Sequence, residues 1–169
     1  MNEPARILVI DDELAIRKTL SLTLELAGYV VETAENGKQA IEKAKANFYN
    51  LALIDLRLPD MEGTELLATL KMTTPKMVKI ILTGYPALQN AVKAINEGVD
   101  YYLVKPVEPI ELLRVIKEQL DRQRQEKEYG QEKLAQFVET RINELEAQEL
   151  ETSKAKITVP CSSKEAQKP

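Results

Sequence analysis

The chain has 169 residues, 44% of them hydrophobic and 30% charged, with a formal net charge of −4. That is room for one ordinary domain and an appendage, and the acidic balance gives no general electrostatic reason to expect nucleic-acid binding. The chain contains no histidine, which excludes a histidine kinase, a phosphohistidine carrier and any chemistry built on imidazole.

Five strand-like segments alternate with five helix-like ones between Arg6 and about Leu120. Strand one is Arg6–Ile10, an apolar run that stops at Asp11-Asp12-Glu13. Helix one, about Glu13–Ala27, places Ile16, Leu20, Leu24 and Ala27 on one face and ends at Gly28. Strand two, Tyr29–Thr33, alternates and reads as less buried. Asn36-Gly37 caps or turns into helix two, where Ala40, Ile41 and Ala44 keep helical spacing. Strand three, Leu51–Ile54, stops at Asp55. The loop Leu58-Pro59-Asp60-Met61-Glu62-Gly63 leads to a helix carrying Leu66, Leu67 and Leu70. Strand four, Val78–Leu82, stops at Thr83-Gly84. Helix four runs from about Pro86 to Glu97 with Ala91, Val92 and Ile95 at helical spacing, and Gly98 ends it. Strand five, Tyr101–Val104, stops at Lys105-Pro106, and helix five starts near Glu108-Pro109 with Ile110, Leu113, Ile116 and Leu120.

Strands alternating with helices imply a parallel sheet covered on both faces. The apolar strands one, three and four belong at its centre, with two and five at the edges. The predicted fold class is α/β, a flavodoxin-like doubly wound sheet of order 2-1-3-4-5 with a helical C-terminal extension. That order sets the ends of strands one and three side by side and brings Asp11, Asp12 and Asp55 together.

Beyond Leu120 the character changes. Residues 121–133 are almost devoid of apolar side chains, and Gly130 interrupts them. Ala135, Val138, Ile142 and Leu145 then recur at steps of three and four, a seam about two heptads long. The expected organisation is an α/β domain over 1–121, a charged helical extension over 122–151 and a disordered tail over 152–169. The absence of a run of eighteen apolar residues argues against a membrane-inserted helix. With the first strand starting at Arg6, no signal peptide is expected. Cys161, the single cysteine, fits a reducing cytoplasm.

The rim of such a sheet is where ligands bind. Carboxylates crowded there repel one another unless a cation joins them, and hard oxygen ligands suit Mg²⁺. The bland alternative, that Asp12 or Glu13 merely caps helix one, explains that pair alone. It does not explain Asp55, a carboxylate able to attack phosphorus and form an acyl phosphate. Nor does it explain a Thr83 hydroxyl and a Lys105 ammonium at two further strand ends, both able to contact phosphoryl oxygens.

These stretches, Ile7–Glu13, Asp55–Gly63, Leu82–Tyr85 and Lys105-Pro106, resemble the receiver domain of two-component response regulators, a CheY-like family, over roughly residues 5–121. The resemblance implies that Asp55 is the phospho-acceptor. It implies that Asp12, Asp55 and the main-chain carbonyl of Arg57 ligate Mg²⁺, with Asp11 acting mainly through water. It further implies that Thr83 and Lys105 contact the phosphoryl group and that the bond before Pro106 is cis. Thr83 and Tyr102 become the switch pair, and alternation along strand five places only one of Tyr101 and Tyr102 on each face. By the same resemblance Arg57 and Tyr85 flank the path of hydrolytic water, where neither suits a water-positioning role, so a long-lived acyl phosphate is expected.

Two rival functions fail on particular residues. A phosphatase with an aspartate nucleophile needs a second acid two residues on, where this chain has Arg57. A flavin module needs a phosphate-binding loop after strand one, where Asp11-Asp12-Glu13 would repel it. The expected partners are a sensor histidine kinase or a histidine phosphotransfer protein, and a downstream protein target. Direct nucleic-acid binding is not expected: no basic recognition helix follows residue 120, and Asp121–Pro169 carries nine basic and ten acidic residues. The expectation is therefore a phospho-acceptor signalling protein rather than an enzyme, without a DNA-binding output domain. In the alternative reading, residues 134–150 form an adaptor or homodimer helix that is itself the output.

Overall fold

A computed structural model describes residues 3–84 and 87–157, with the backbone alone for Leu88 and Asn90. The expectations placed on Tyr85, Pro86, Cys161 and the tail from 158 onward lie outside the described residues.

Five parallel strands, β1 (Arg6–Ile10), β2 (Val30–Ala34), β3 (Leu51–Ile54), β4 (Val78–Thr83) and β5 (Tyr101–Val104), form one sheet of order β2-β1-β3-β4-β5. They alternate with α1 (Leu14–Leu26), α2 (Gly37–Ala46), α3 (Gly63–Thr73), α4 (Leu88–Asn96) and α5 (Pro109–Ile157). The central strands are buried on both sides, so their side chains divide by alternation between two cores. Leu8 and Ile10 join Ala40 and Ala44 of α2, Leu66, Leu67 and Leu70 of α3 and Ala94 of α4. Ile7 and Val9 join Leu24 of α1 and Leu112, Val115, Ile116 and Leu120 of α5.

The described residues fall into two compact units that divide between Arg124 and Gln125, three residues beyond the boundary expected at 121. The reason is Gln123, whose side-chain amide donates to the carbonyls of Asn50 (3.0 Å) and Lys76 (2.7 Å) and so fastens one more helical turn to the base of the sheet. In the second unit the described residues all belong to α5. The helix runs through Gly130 and includes residues 152–157, where composition predicts a disordered tail. Those six residues include no glycine or proline, and the Thr152 hydroxyl bonds back to the Gln148 carbonyl at 2.8 Å.

Some helix faces also differ from expectation. Ile110 is 84% exposed, and the buried side of α5 is Leu112, Val115, Ile116 and Leu120. On α4 it is Ala94 that is buried, while Val92 and Ile95 are exposed. Within β4, apolar apart from Lys79 and the terminal Thr83, Lys79 is buried because its ammonium donates to the carbonyls of Thr74 (2.9 Å) and Met77 (2.6 Å). Burial lowers its pKa despite the opposing pull of Asp100.

Candidate functional site

Parallel register carries the strand ends to one rim. Ile10 of β1 lies opposite Ile54 of β3, Ile54 opposite Ile81 of β4, and Thr83 opposite Val104 of β5. The ladder continues one residue further, with Asp55 N–H donating to the Ile10 carbonyl (2.9 Å) and Lys105 N–H to the Thr83 carbonyl (2.7 Å). The side chains after those bonds converge. Carboxylate oxygens of Asp11, Asp12 and Asp55 lie within 4.8 Å of one another. The Lys105 ammonium stands 2.6 Å from Asp11 and 3.8 Å from Asp55. The peptide bond between Lys105 and Pro106 is cis.

Asp11 and Asp55 are nearly buried, at 2% and 8% exposure, while Asp12 is open to solvent and Thr83 is fully covered. Burial raises the Asp55 pKa to about 6. Lys105 and the Arg57 backbone N–H act to lower it, and Asp11 and Asp12 act to raise it. A carboxyl forced up in this way gains from any cation that enters the cluster. The donor set therefore fits a hard divalent ion: three carboxylates from two strand ends, one of them exposed and able to receive it.

The capping alternative for the first acids is limited to a backbone contact. Glu13 is the N-cap residue of α1 but makes no side-chain capping bond, and it is the Asp11 carboxylate that accepts its N–H at 2.9 Å. The aromatic pair of β5 splits as alternation requires. Tyr101 packs with the α1/α5 core and Tyr102 with the α2/α3/α4 core. The Tyr102 hydroxyl is buried without a hydrogen-bond partner among the described residues, and burial raises its pKa.

Three contributors to the site were not read from the sequence. Arg17 is buried, and its guanidinium donates to the carbonyls of Asp11 (2.7 Å) and Asp12 (3.0 Å), pinning the loop that bears both acids. Its spacing to Leu20 and Leu24, three and seven residues, was the available signal that it sits on the inner face of α1. Gly63 lets the chain double back on the end of β3: a Cβ there would meet the Asp55 carbonyl oxygen at 2.5 Å and the Leu56 Cα at 2.7 Å. Asp60 reaches across the fold to accept the Gly37 and Lys38 N–H groups at 2.9 and 2.8 Å, adding to the Asn36 cap of α2 and anchoring the loop after Asp55.

The response regulator receiver domain family model matches residues 7–117. The chain belongs to that family. It is 47% identical to a CheY-like receiver domain protein of Methanospirillum hungatei JF-1, with a TM-score of 0.72 over 73% of this chain and 98% of the other. It is 32% identical to the response regulator TrrA of Thermotoga maritima, solved in complex with Mg²⁺ and BeF, with a TM-score of 0.63 over 68% of this chain and 98% of that one. Among curated relatives it is 35% identical over 120 residues to the transcriptional regulatory protein GlrR of Escherichia coli (strain K12), covering 71% of this chain and 27% of GlrR. The receiver thus matches about a quarter of such a relative's length. No helix among the described residues is long and apolar enough to cross a membrane.

Proposed function

We propose that this receiver takes a phosphoryl group onto Asp55 from a sensor histidine kinase or histidine phosphotransfer protein and then changes its contacts with a downstream protein. The observation that carries the reading is the convergence of three carboxylates within 4.8 Å of one another, with Lys105 3.8 Å from Asp55. In the transfer, an Asp55 oxygen attacks phosphorus, the phosphorus–nitrogen bond to the donor imidazole breaks, and the imidazole leaves with its electron pair. Lys105 supplies positive charge to the transferred group, and Thr83 supplies a hydroxyl to one of its oxygens. Asp12, Asp55 and the Arg57 carbonyl would hold Mg²⁺ directly and Asp11 through water, and the ion's role when bound is to neutralise charge between acceptor and phosphoryl oxygens.

Pulling Thr83 toward the phosphoryl group opens space behind it, and Tyr102, already packed on that side of the sheet, is the ring positioned to follow. With acetyl phosphate and Mg²⁺ the intact protein should gain the mass of one phosphoryl group. Asp55→Ala should gain none, and equal labelling of that variant would remove the assignment.

A second reading has its own observation. Leu134, Val138, Ile142 and Leu145 lie exposed along one stripe of α5, so the helix itself can be the output that phosphorylation controls. A pull-down with and without beryllofluoride separates the readings. Partners captured equally well by wild type and Ile142→Asp support the first, and capture lost in Ile142→Asp supports the second.

A further inference from the structure

The distal half of α5 carries more than an apolar stripe. Setting Ala135 and Ile142 at heptad position a, and Val138 and Leu145 at d, puts Lys127, Leu134, Arg141 and Gln148 at g. It puts Glu132, Glu139, Glu146 and Ser153 at e. All of these belong to one helix, and Leu134, Val138, Ile142 and Leu145 are between 46% and 62% exposed. We propose that this seam pairs with a second copy of the chain as a parallel, in-register two-stranded coiled coil over about Lys127–Ser153.

Charge complementarity selects both the occupant and its direction. In a parallel pair each g residue faces the e residue five positions on in the other helix. That sets Lys127 against Glu132 and Arg141 against Glu146, twice each by symmetry, while Leu134 and Gln148 face Glu139 and Ser153 without conflict. An antiparallel pair instead sets e against e, and Glu132, Glu139 and Glu146 would then confront one another, as Arg141 would its own copy. Side-chain shape agrees, because a β-branched residue at a with leucine at d, here Ile142 and Leu145, favours two parallel strands.

The same register explains why the pairing is short and reversible. Glu128 and Glu149 occupy the a positions that flank the seam, where a parallel pair brings each beside its own copy. Arg141 already bonds Glu144 of its own helix at 2.9 Å. Its pairing across the dimer therefore sets direction more than affinity. The proposal deepens the second reading above and rests on it for its regulatory meaning. Its tests use the unphosphorylated full chain, so failure to dimerise and failure to accept phosphate are read separately.

Sedimentation equilibrium measures the pairing, and a cysteine reports its direction. Glu149→Leu, which extends the seam by one apolar layer, should tighten the dimer several-fold, and Ile142→Asp should abolish it. Arg141→Glu should weaken it several-fold, and adding Glu146→Arg should restore it, because the two charges meet only in the parallel register. In a Cys161→Ser background, Ala135→Cys should form an intermolecular disulfide under mild oxidation. An antiparallel pair sets position 135 against 145 and leaves that lone cysteine reduced. A Glu149→Leu chain that stays monomeric at every concentration would overturn the proposal. So would a double reversal that fails to restore pairing, or a dimer in which the cysteine at 135 never cross-links.

Discussion

Asp55 is the residue on which the opposing forces of the site meet. Its carboxyl is pushed up to about 6 by burial, against the pull of Lys105 and with the help of Asp11 and Asp12. Relieving that crowding should not harm the fold. Asp12→Ala should therefore lose most of its Mg²⁺ affinity in a calorimetric titration while its melting temperature holds or rises; unchanged affinity would remove Asp12 from the ligand set. Gly63 is the opposite case, a residue whose role is to be small. Gly63→Ala should cost about 1–3 kcal/mol, because the clash is with the backbone of Asp55 and Leu56 rather than with a side chain that can swing away. Urea unfolding measures this, and a variant as stable as wild type would show that the loop yields freely.

At the scale of elements, legibility followed the range of the interaction that sets each feature. The buried strands were readable because parallel strands covered on both faces give unbroken apolar runs, and the polar residue after each run marks the rim. Ile110, Val92 and Ile95 misled because apolar spacing fixes a face only when a neighbour covers it, and these three are exposed. Asp60 was opaque for another reason: its carboxylate caps a helix 23 residues earlier, which no local pattern records. The edge strand β2 depends on a similar long-range pair. Glu32 accepts from the Tyr49 hydroxyl at 2.7 Å and from Arg6, and those bonds, the Tyr49 bond foremost, lower its pKa. Burial and the same carboxylate push Tyr49 up to about 12. A carboxyl depressed on folding gives stability that is present above its unfolded value near 4.5 and lost as the pH falls through its folded value. Tyr49→Phe should thus cost about 1.5–3 kcal/mol at pH 7, the usual range for a hydrogen bond to a charged group. The difference from wild type should narrow as the pH drops below 4.5, and one that stays constant down to pH 3 would contradict the pairing.

For the whole molecule, the strand order and the site fall together, since the order 2-1-3-4-5 is what places the ends of β1 and β3 side by side. The second unit was less legible. The polar composition after 150 argued for a disordered tail, yet α5 runs through Gly130 and on to Ile157, because its residues there are good helix formers and one glycine costs only about 1 kcal/mol. If the convergent rim makes Asp55 a phosphoryl acceptor, the sequence supplies a clean place to detect it. Asp55 is the only side-chain carboxylate between Ala46 and Arg57, a segment bounded by tryptic sites at Lys45 and Arg57. After incubation with acetyl phosphate and Mg²⁺, borohydride reduces an acyl phosphate to the alcohol, and mass spectrometry locates the reduced residue. Reduction should fall in the Ala46–Arg57 peptide and depend on Mg²⁺. A phosphoryl-dependent product in any other peptide, with this one unmodified, would contradict that role for Asp55.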